Sequence, residues 1–527
     1  MRKQILKLFL FLLVFFMLPN FASAANFPLE ITNIKPAGTG SPAIPATNRI
    51  FRAYPGIEYN IRAAVIGGMY PFKFLLSNAP VGMIINEDTG EISWPNPQAN
   101  SGTITLSVTD AENTVVTTSW AIAVSTVGFY FVDANAPTNG TGAIASPFNS
   151  LSNMIAGTGA AHLTDILYFR GGNYPLVASG TDCGGVCNSL KLTDNAPFTW
   201  IGYPNEAVNI SGNNDVEIRA YQFWYDNLNF SDFNYHGIEG QGGRDFQTIR
   251  RCKFINLVAV NTGTNLNEGF IYINRGTPQG YGLIIQDNEF SYFTGGSGIG
   301  SLYDTNKALI EDNYIHDAGG IGVGSGVNSA IGIKDNDDRM TVRHNKIIIP
   351  NGVSIFGNAM NAQMAEVDDL EVAFNYFNIG ANKLAHEFFE RPDLPQKVLY
   401  YYRNTLVGAL GFAYIDGSNC TMRNTVPLSP LGAVEVKNNI LINTGTVFAG
   451  TTWILNSGLV YHPTSTANSP WLCVTDVSNL KSASTTGIID SDGLLVNRSD
   501  VGIYGWEAAN GSGDVFAPSA PSGLSVM

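Results

Sequence analysis

The sequence predicts an all-β chain in two parts, an N-terminal β-sandwich followed by a right-handed parallel β-helix. Three observations predict it. Residues 27 to about 126 alternate apolar and polar positions between turn signals, residues 225 to 441 repeat a single register, and an asparagine recurs at one place in that register. Composition sets the outer bounds. The 56 glycines follow no G-X-Y period, which excludes collagen, and 45% apolar residues are too many for a disordered chain. With 29 Lys+Arg against 43 Asp+Glu the formal charge is −14, which argues against nucleic acid as a partner because a phosphate backbone requires a basic stripe.

At the start of the chain, Arg2, Lys3 and Lys7 precede an apolar run from Leu8 to Leu18 and the small residues Ala22-Ser23-Ala24. That pattern predicts a secretory signal peptide over residues 1–24. The run is too short to span a hydrocarbon core of ~30 Å, and no comparable run follows, so no transmembrane segment is expected. The expected location is secreted or cell-surface, extracellular or periplasmic. Losing three positive charges with this segment takes the net charge from −14 to −17. In that compartment Cys183 and Cys187, flanking Gly184-Gly185-Val186, could close a small disulfide ring or stand as two free thiols. The pairing of Cys252, Cys420 and Cys473 stays open.

The sandwich is read from Glu58-Tyr-Asn-Ile-Arg-Ala-Ala-Val-Ile66, Phe72-Lys-Phe-Leu-Leu76, Glu91-Ile-Ser-Trp94, Thr103-Ile-Thr-Leu-Ser-Val108 and Trp120-Ala-Ile-Ala-Val124, short strands with turn residues between them. Gly67-Gly68, Asn78-Ala-Pro-Val-Gly-Met83 and Asp88-Thr-Gly-Glu-Ile-Ser-Trp94 resemble the bacterial Ig-like, cadherin-like modules of secreted proteins. The resemblance implies a fold and leaves open whether the module spaces, adheres or binds glycan.

From residue 129 the character changes. Phe129-Tyr-Phe-Val-Asp133, a short helix through Ile155 and Asp165-Ile-Leu-Tyr-Phe-Arg-Gly-Gly-Asn-Tyr174 resemble the entry of secreted, pectate-lyase-like parallel β-helix proteins, where a helix caps the open first coil. The body repeats as Ile249-x2-Cys252-x-Phe254, Ile285-x2-Asn288-x-Phe290, Ile310-x2-Asn313-x-Ile315, Val342-x2-Asn345-x-Ile347, Val372-x2-Asn375-x-Phe377, Tyr401-x2-Asn404-x-Leu406 and Val436-x2-Asn439-x-Leu441, with Tyr225-x2-Leu228-x-Phe230 before them. Coils stack ~4.8 Å apart, so one position per coil becomes a column. Stacked amides can bond to one another and to turn backbone, which makes the asparagines structural rather than sugar-binding. Leu228 and Cys252 end the column, and Cys252 reads as a buried small hydrophobe. The expected spans are 1–24 signal peptide, 25–126 Ig-like module, 127–506 β-helix with its N-terminal capping helix, and 507–527 a Pro/Ser/Gly-rich tail.

The β-helix resemblance implies polysaccharide as the partner. The residues identify the reaction poorly: polygalacturonase-type Gly-His-Gly, epimerase-type Asp-Pro-His and lyase-type Trp-x-Asp-His are all missing. Two outward columns remain, Arg250, Gln286, Glu311, Arg343 and Ala373 before the ladder, and Lys253, Glu289, Tyr314, Lys346 and Tyr376 after it. Mixed charge at touching distance predicts solvated faces with cross-strand pairs.

The richest cluster is Lys334-Asp-Asn-Asp-Asp-Arg339 leading into Arg343-His344. Aligned by the ladder, it sets Asn336 over Asp304, Arg339 over Lys307 and Arg343 over Glu311. Carboxylates beside cations suit β-elimination of a uronate, which requires a cation or Ca²⁺ to neutralise the sugar carboxylate and a base to take the C5 proton. The candidate catalytic residues are Lys334, Arg339, Arg343 and His344. Lys307, Glu311, Tyr314 and Lys346 are expected to bind substrate, and Asp304, Asp335, Asp337 and Asp338 to bind Ca²⁺. A plain polar turn at a coil corner explains the same residues. His316-Asp317 is discounted as a dyad because neighbours on a strand face opposite ways, and residues 382–396 read as an inserted groove wall. The expected function is a polysaccharide lyase; the alternatives are a non-catalytic adhesin or surface-matrix protein, and a hydrolase of the same fold.

Overall fold

The structure is a computed structural model describing residues 27–158, 165–182, 187–192, 198–258, 269–274, 276–294, 297–318, 329–334, 337–348, 358–362, 369–378, 384–390, 398–402, 404–407, 411–416, 421–422, 434–437, 440–442, 488–489 and 495–496. The expected signal segment, Asp335, Asn336, Cys183, Cys420, Asn439, Cys473 and the 507–527 tail lie outside these residues.

In the sandwich, Thr103–Thr109 pairs antiparallel with Lys73–Ser77 and Val115–Ala121, and Glu91–Trp94 pairs with Tyr59–Arg62 and Ile84–Ile85. Ile61, Ile92, Ile104, Leu106, Val108 and Trp120 meet between these layers. Thr103–Thr109 shows the alternation its sequence predicts. Tyr59–Arg62 does not: Asn60 and Arg62, expected on the wet face, are buried.

The second part is a stack of coils. Strands from Phe129–Val132 to Val434–Lys437 form one parallel sheet, here the first; those from Gly172–Pro175 to Ile440–Ile442 form the second. The third is parallel from Cys187–Lys191 to Gly411–Asp416, with antiparallel partners at both ends. Helix Leu151–Thr158 places Leu151 and Met154 on the core beside Val132 and Phe148. Leu384–Glu390, expected as a loop, is a third-sheet strand between Asn358–Ala362 and Gly411–Asp416, because each coil needs a strand there to close.

The repeat maps onto this geometry. From Phe223–Asp226 to Asp369–Ala373, each first-sheet strand passes to the second sheet through two residues, one with positive φ (Asn227, Arg251, Asp287, Asp312, His344, Phe374) and then the ladder residue. Left-handed backbone costs a non-glycine residue roughly 1–2 kcal/mol, and the ladder opposes that cost. Asn288, Asn313, Asn345 and Asn375 each donate from Nδ2 to the next Oδ1, reaching Asn404, at 2.9–3.0 Å. Each Oδ1 also accepts the ladder N–H of the coil before, beginning with Cys252 N at 2.9 Å. Inside, Phe230, Phe254 and Phe290 stack at centroid spacings of 5.0 and 4.8 Å. Cys252 is a buried free thiol, and burial pushes its pKa far up, as an inert core residue requires.

The sandwich lies against the first sheet. Ala64 and Ile66 pack on Ile284 and Leu309, and Trp224, Phe246 and Tyr281 complete the sandwich core. Arg62 reaches three carboxylates: Nη1 lies 2.6 Å from Asp287, Nη2 bonds Asp312 and stands 3.4 Å from Glu311. Arg250 donates to Asn60 Oδ1 at 2.8 Å, and Lys307 pairs with Glu30 at 2.6 Å. The first outward column, expected to be solvated, is therefore buried at Arg250, Gln286, Glu311 and Arg343.

Candidate functional site

The acidic rim lies where the third sheet turns into the first. Leu302 and Ile333 pair at the ends of neighbouring third-sheet strands, so the segments after them run side by side. Asp304, in left-handed backbone, accepts Gly276 N–H on Oδ2 at 2.7 Å. One coil on, Asp337 accepts both the N–H and the hydroxyl of Thr305 on Oδ1, each at 2.8 Å. Its Oδ2 is buried without a hydrogen-bond partner. Burial above all, with Asp304 adding, holds the Asp337 carboxyl well above the ordinary range. Such a group takes up a proton or a cation. Asp338 turns aside and accepts from Asn306 at 3.1 Å. Asp304 and Asp337 bring two carboxylates to this rim, oxygen donors of the kind that Ca²⁺ takes. Among the described residues, no three His, Cys, Asp or Glu side chains converge as a complete metal site.

Lys334 follows the strand Ser329–Ile333 and its N–H donates to Leu302 O at 2.9 Å, which places it on this rim. The other expected catalytic residues face the sandwich. Arg343 lies in register with Glu311, as aligned, and bonds it through Nε at 2.8 Å and Nη2 at 2.5 Å; Nη2 also donates to Val65 O at 3.0 Å. Its guanidinium sits 4.8 Å from the Phe72 ring centre. His344 packs 4.3 Å from Tyr70 and 5.6 Å from Phe374, with Nδ1 3.5 Å from Asp312. Arg339 lies over Phe27 at 5.0 Å. These contacts correct the expectation of a free groove: Arg343 and His344 are buried under the sandwich, and Lys307 and Glu311 are committed to it through Glu30, Arg62 and Arg343.

Tyr314 and Lys346 lie elsewhere, on the second sheet, separated from Lys334 by the width of the first. Lys346 Nζ is 5.1 Å from the Tyr314 ring centre, and Tyr314 stacks on His316 at 4.0 Å. His316 Nε2 meets Glu289 at 3.2 Å, Glu289 meets Lys253 at 2.7 Å, and His316 Nδ1 meets Asp317 at 2.7 Å. The discounted His-Asp pair therefore exists. Asp317 has φ +49°, which ends the strand and swings its side chain onto the same face. The His316 hydrogen bond, acting against burial and aided by Lys253, holds Glu289 down at about 2. Burial would lower His316, but Glu289 and Asp317 prevail and raise it.

Sequence reading also missed Glu217 and Glu239 on the third sheet, both buried. Ser189 donates to Glu217 at 2.9 Å and Asn274 to Glu239 at 3.1 Å. Burial first and Glu239 second raise the Glu217 carboxyl well above its usual range. A folded-state pKa above the unfolded value of ~4.3 stabilises below that value and loses the benefit as pH rises. Glu217→Gln, which mimics the protonated acid, is expected to raise Tm at pH 7.5 and leave it unchanged near pH 4. Calorimetry at the two pH values checks this, and equal shifts at both would contradict it. Only the outward parity of Glu217 and Arg219 within Val216-Glu-Ile-Arg219 hinted at this site.

Fold and interface define an all-β protein in which an Ig-like module is seated on a parallel β-helix. Residues 42–125 match the family described as "Putative Ig domain". The comparison with curated proteins gives no match. Among solved structures the chain is similar to pectate lyase Pel9A, at 12% identity and a TM-score of 0.41, covering 71% of this chain and 88% of that one. It is also similar to the Agl-KA catalytic domain, at 12% identity and a TM-score of 0.22, covering 78% and 83%. A third likeness is to a putative alpha-galactosidase of Bacteroides fragilis NCTC 9343, at 13% identity and a TM-score of 0.16, covering 30% and 40%. No helix among the described residues is long and apolar enough to cross a membrane.

Proposed function

We propose that this is a secreted, carbohydrate-active β-helix protein that cleaves a uronate-bearing polysaccharide by β-elimination at the rim of Asp304, Lys334 and Asp337. The observation that carries this is the unpartnered, buried Oδ2 of Asp337 beside Asp304, on a rim that also holds Lys334. The resemblance of the sequence to pectate-lyase-like β-helices supports the substrate class. Asp304 and Asp337 would hold Ca²⁺, which supplies positive charge to neutralise the sugar carboxylate and acidify the adjacent C–H. Lys334 is the base that takes that proton, and the electron pair left behind expels the oxygen at C4.

A second reading is favoured by the burial of Arg343 and His344, which takes half of the expected catalytic set away from any substrate. On that reading the stack is a non-catalytic glycan-binding surface protein. The mature chain incubated with alginate, pectate and glycosaminoglycans, with Ca²⁺ or with chelator, distinguishes them. Unsaturated products absorbing in the ultraviolet, lost in Lys334→Ala, support the lyase. Reducing ends without that absorbance indicate hydrolysis, and retained glycan binding without turnover indicates the adhesin. Ca²⁺ is also expected to raise Tm in the native chain and not in Asp337→Asn, since a ligand stabilises only the state that binds it. Equal shifts in both chains would remove Asp337 from the site.

A further inference from the structure

His316 stands on the outward face of the second sheet with both ring nitrogens engaged. Nδ1 lies 2.7 Å from Asp317 and Nε2 lies 3.2 Å from Glu289, one coil earlier. A neutral imidazole carries a single N–H, so it can donate to only one of two carboxylates. Donation to both requires the imidazolium. The surroundings favour that form: Glu289 is held down at about 2, Tyr314 stacks on the ring at 4.0 Å, and the two carboxylates raise His316 against its burial. The other charged groups on neighbouring strands are Lys253, 2.7 Å from Glu289, and Lys346, 5.1 Å from the Tyr314 ring centre. Tyr292 stands exposed on the strand of Glu289.

Backbone pairing between these two coils is interrupted at this point. The parallel register runs through Glu289↔Tyr314 and Phe290↔Ile315, then resumes as a single bridge, Phe293↔Ala318. His316 and Asp317 occupy the interval, where side chains hold what the ladder does not. Loss of one proton selects which contact fails. Asp317 is the nearer partner, and Glu289 has Lys253 as a second one, so the remaining hydrogen stays on Nδ1. Nε2 then turns a lone pair toward a carboxylate oxygen, and an attraction between coils becomes a repulsion.

We propose that His316 is a pH-operated clamp across this interval, joining its coil to Glu289 of the coil before while protonated and releasing it when the proton leaves. A folded pKa above the unfolded value of ~6.5 gives stabilisation that is complete below that value and is lost as pH rises through the folded one. Acidic water therefore keeps the corner shut, and alkaline water loosens it. The clamp is independent of the reaction proposed at the rim.

Imidazole-ring NMR of the mature chain, with the signal assigned by its loss in His316→Gln, is expected to show His316 titrating above ~6.5. Amide exchange at residues 314–318 is then compared between the native chain and His316→Gln at pH 6 and pH 9. Relative to the variant, native exchange is expected to quicken roughly two- to fivefold between the two values, the range of a partly exposed ion pair. Glu289→Gln supplies an amide that accepts from the imidazolium and donates to the neutral ring, so the His316 pKa should fall and the pH step should vanish. Its lost pair with Lys253 weakens that variant equally at both pH values. His316 titrating at or below ~6.5 overturns the proposal. So does a pH step of the same size in the native chain and in Glu289→Gln.

Discussion

Replacing Arg62 by methionine is expected to destabilise the protein by about 3–5 kcal/mol at neutral pH, the usual cost of breaking a buried ion pair from one side. Arg62 is 5% exposed and is shared by Asp287, Asp312 and Glu311, while its Nε donates to Thr89 O at 2.8 Å. Removing it leaves Arg343 for Glu311, His344 for Asp312 and only the electrostatic influence of Arg250 for Asp287. In the native chain burial works to raise Asp312, but Arg62 and His344 prevail and hold it below the ordinary carboxylate range. That stabilisation is present above the unfolded pKa near 4 and is lost as pH falls through the folded value. In the variant the sign reverses: buried carboxylates that have lost this cation rise in pKa, so the deficit is smallest near pH 4 and grows toward pH 7. Denaturation monitored at both values, with hydrogen exchange at residues 59–66, checks this. A deficit below 1 kcal/mol, or one independent of pH, would show that the seat of the module does not depend on this pair.

Asn345→Ala is expected to cost about 3–5 kcal/mol, because it interrupts the ladder at mid-column. Asn345 Oδ1 accepts from Asn313 N and Nδ2, and its Nδ2 donates to Ile310 O, Arg343 O and Asn375 Oδ1. All of these groups are buried, and alanine satisfies none of them. Cys252→Ala is the control at the end of the column. The thiol donates to Arg250 O at 3.1 Å, and the position before it is apolar Leu228, so the loss there should be less than half as large. Equal losses at the two positions would mean that the column is held by packing rather than by its amides.

The ladder was legible because the coil demands it. Two residues separate the first sheet from the second in each coil from Phe223–Asp226 onward, so the spacing Val342-x2-Asn345-x-Ile347 states the geometry without knowledge of loop lengths. The alternation in Thr103–Thr109 was legible for the same reason, since a half-buried strand writes its own period. The buried charges were misread by that same logic. Arg250, Glu311 and Arg343 have the spacing of a solvated column, and no local pattern distinguishes an outward residue facing water from one facing another module. His316-Asp317 was misread because the strand rule fails where a single residue adopts positive φ. The rim at Asp304 and Asp337 was legible as a cluster; that one carboxylate oxygen there would be left without a partner was not.

Taken alone, the sequence determined the all-β class, the sandwich followed by a repeated coil, the asparagine column and the inert Cys252, because these depend on contacts between positions a fixed step apart. Only the tertiary structure decided that the sandwich lies on the first sheet, that Arg62 neutralises its carboxylates, and that Arg343 and His344 face a protein module rather than solvent. Those outcomes depend on two surfaces 190 or more residues apart in sequence meeting at complementary charge and shape, and nothing in the local spacing of either surface encodes the other.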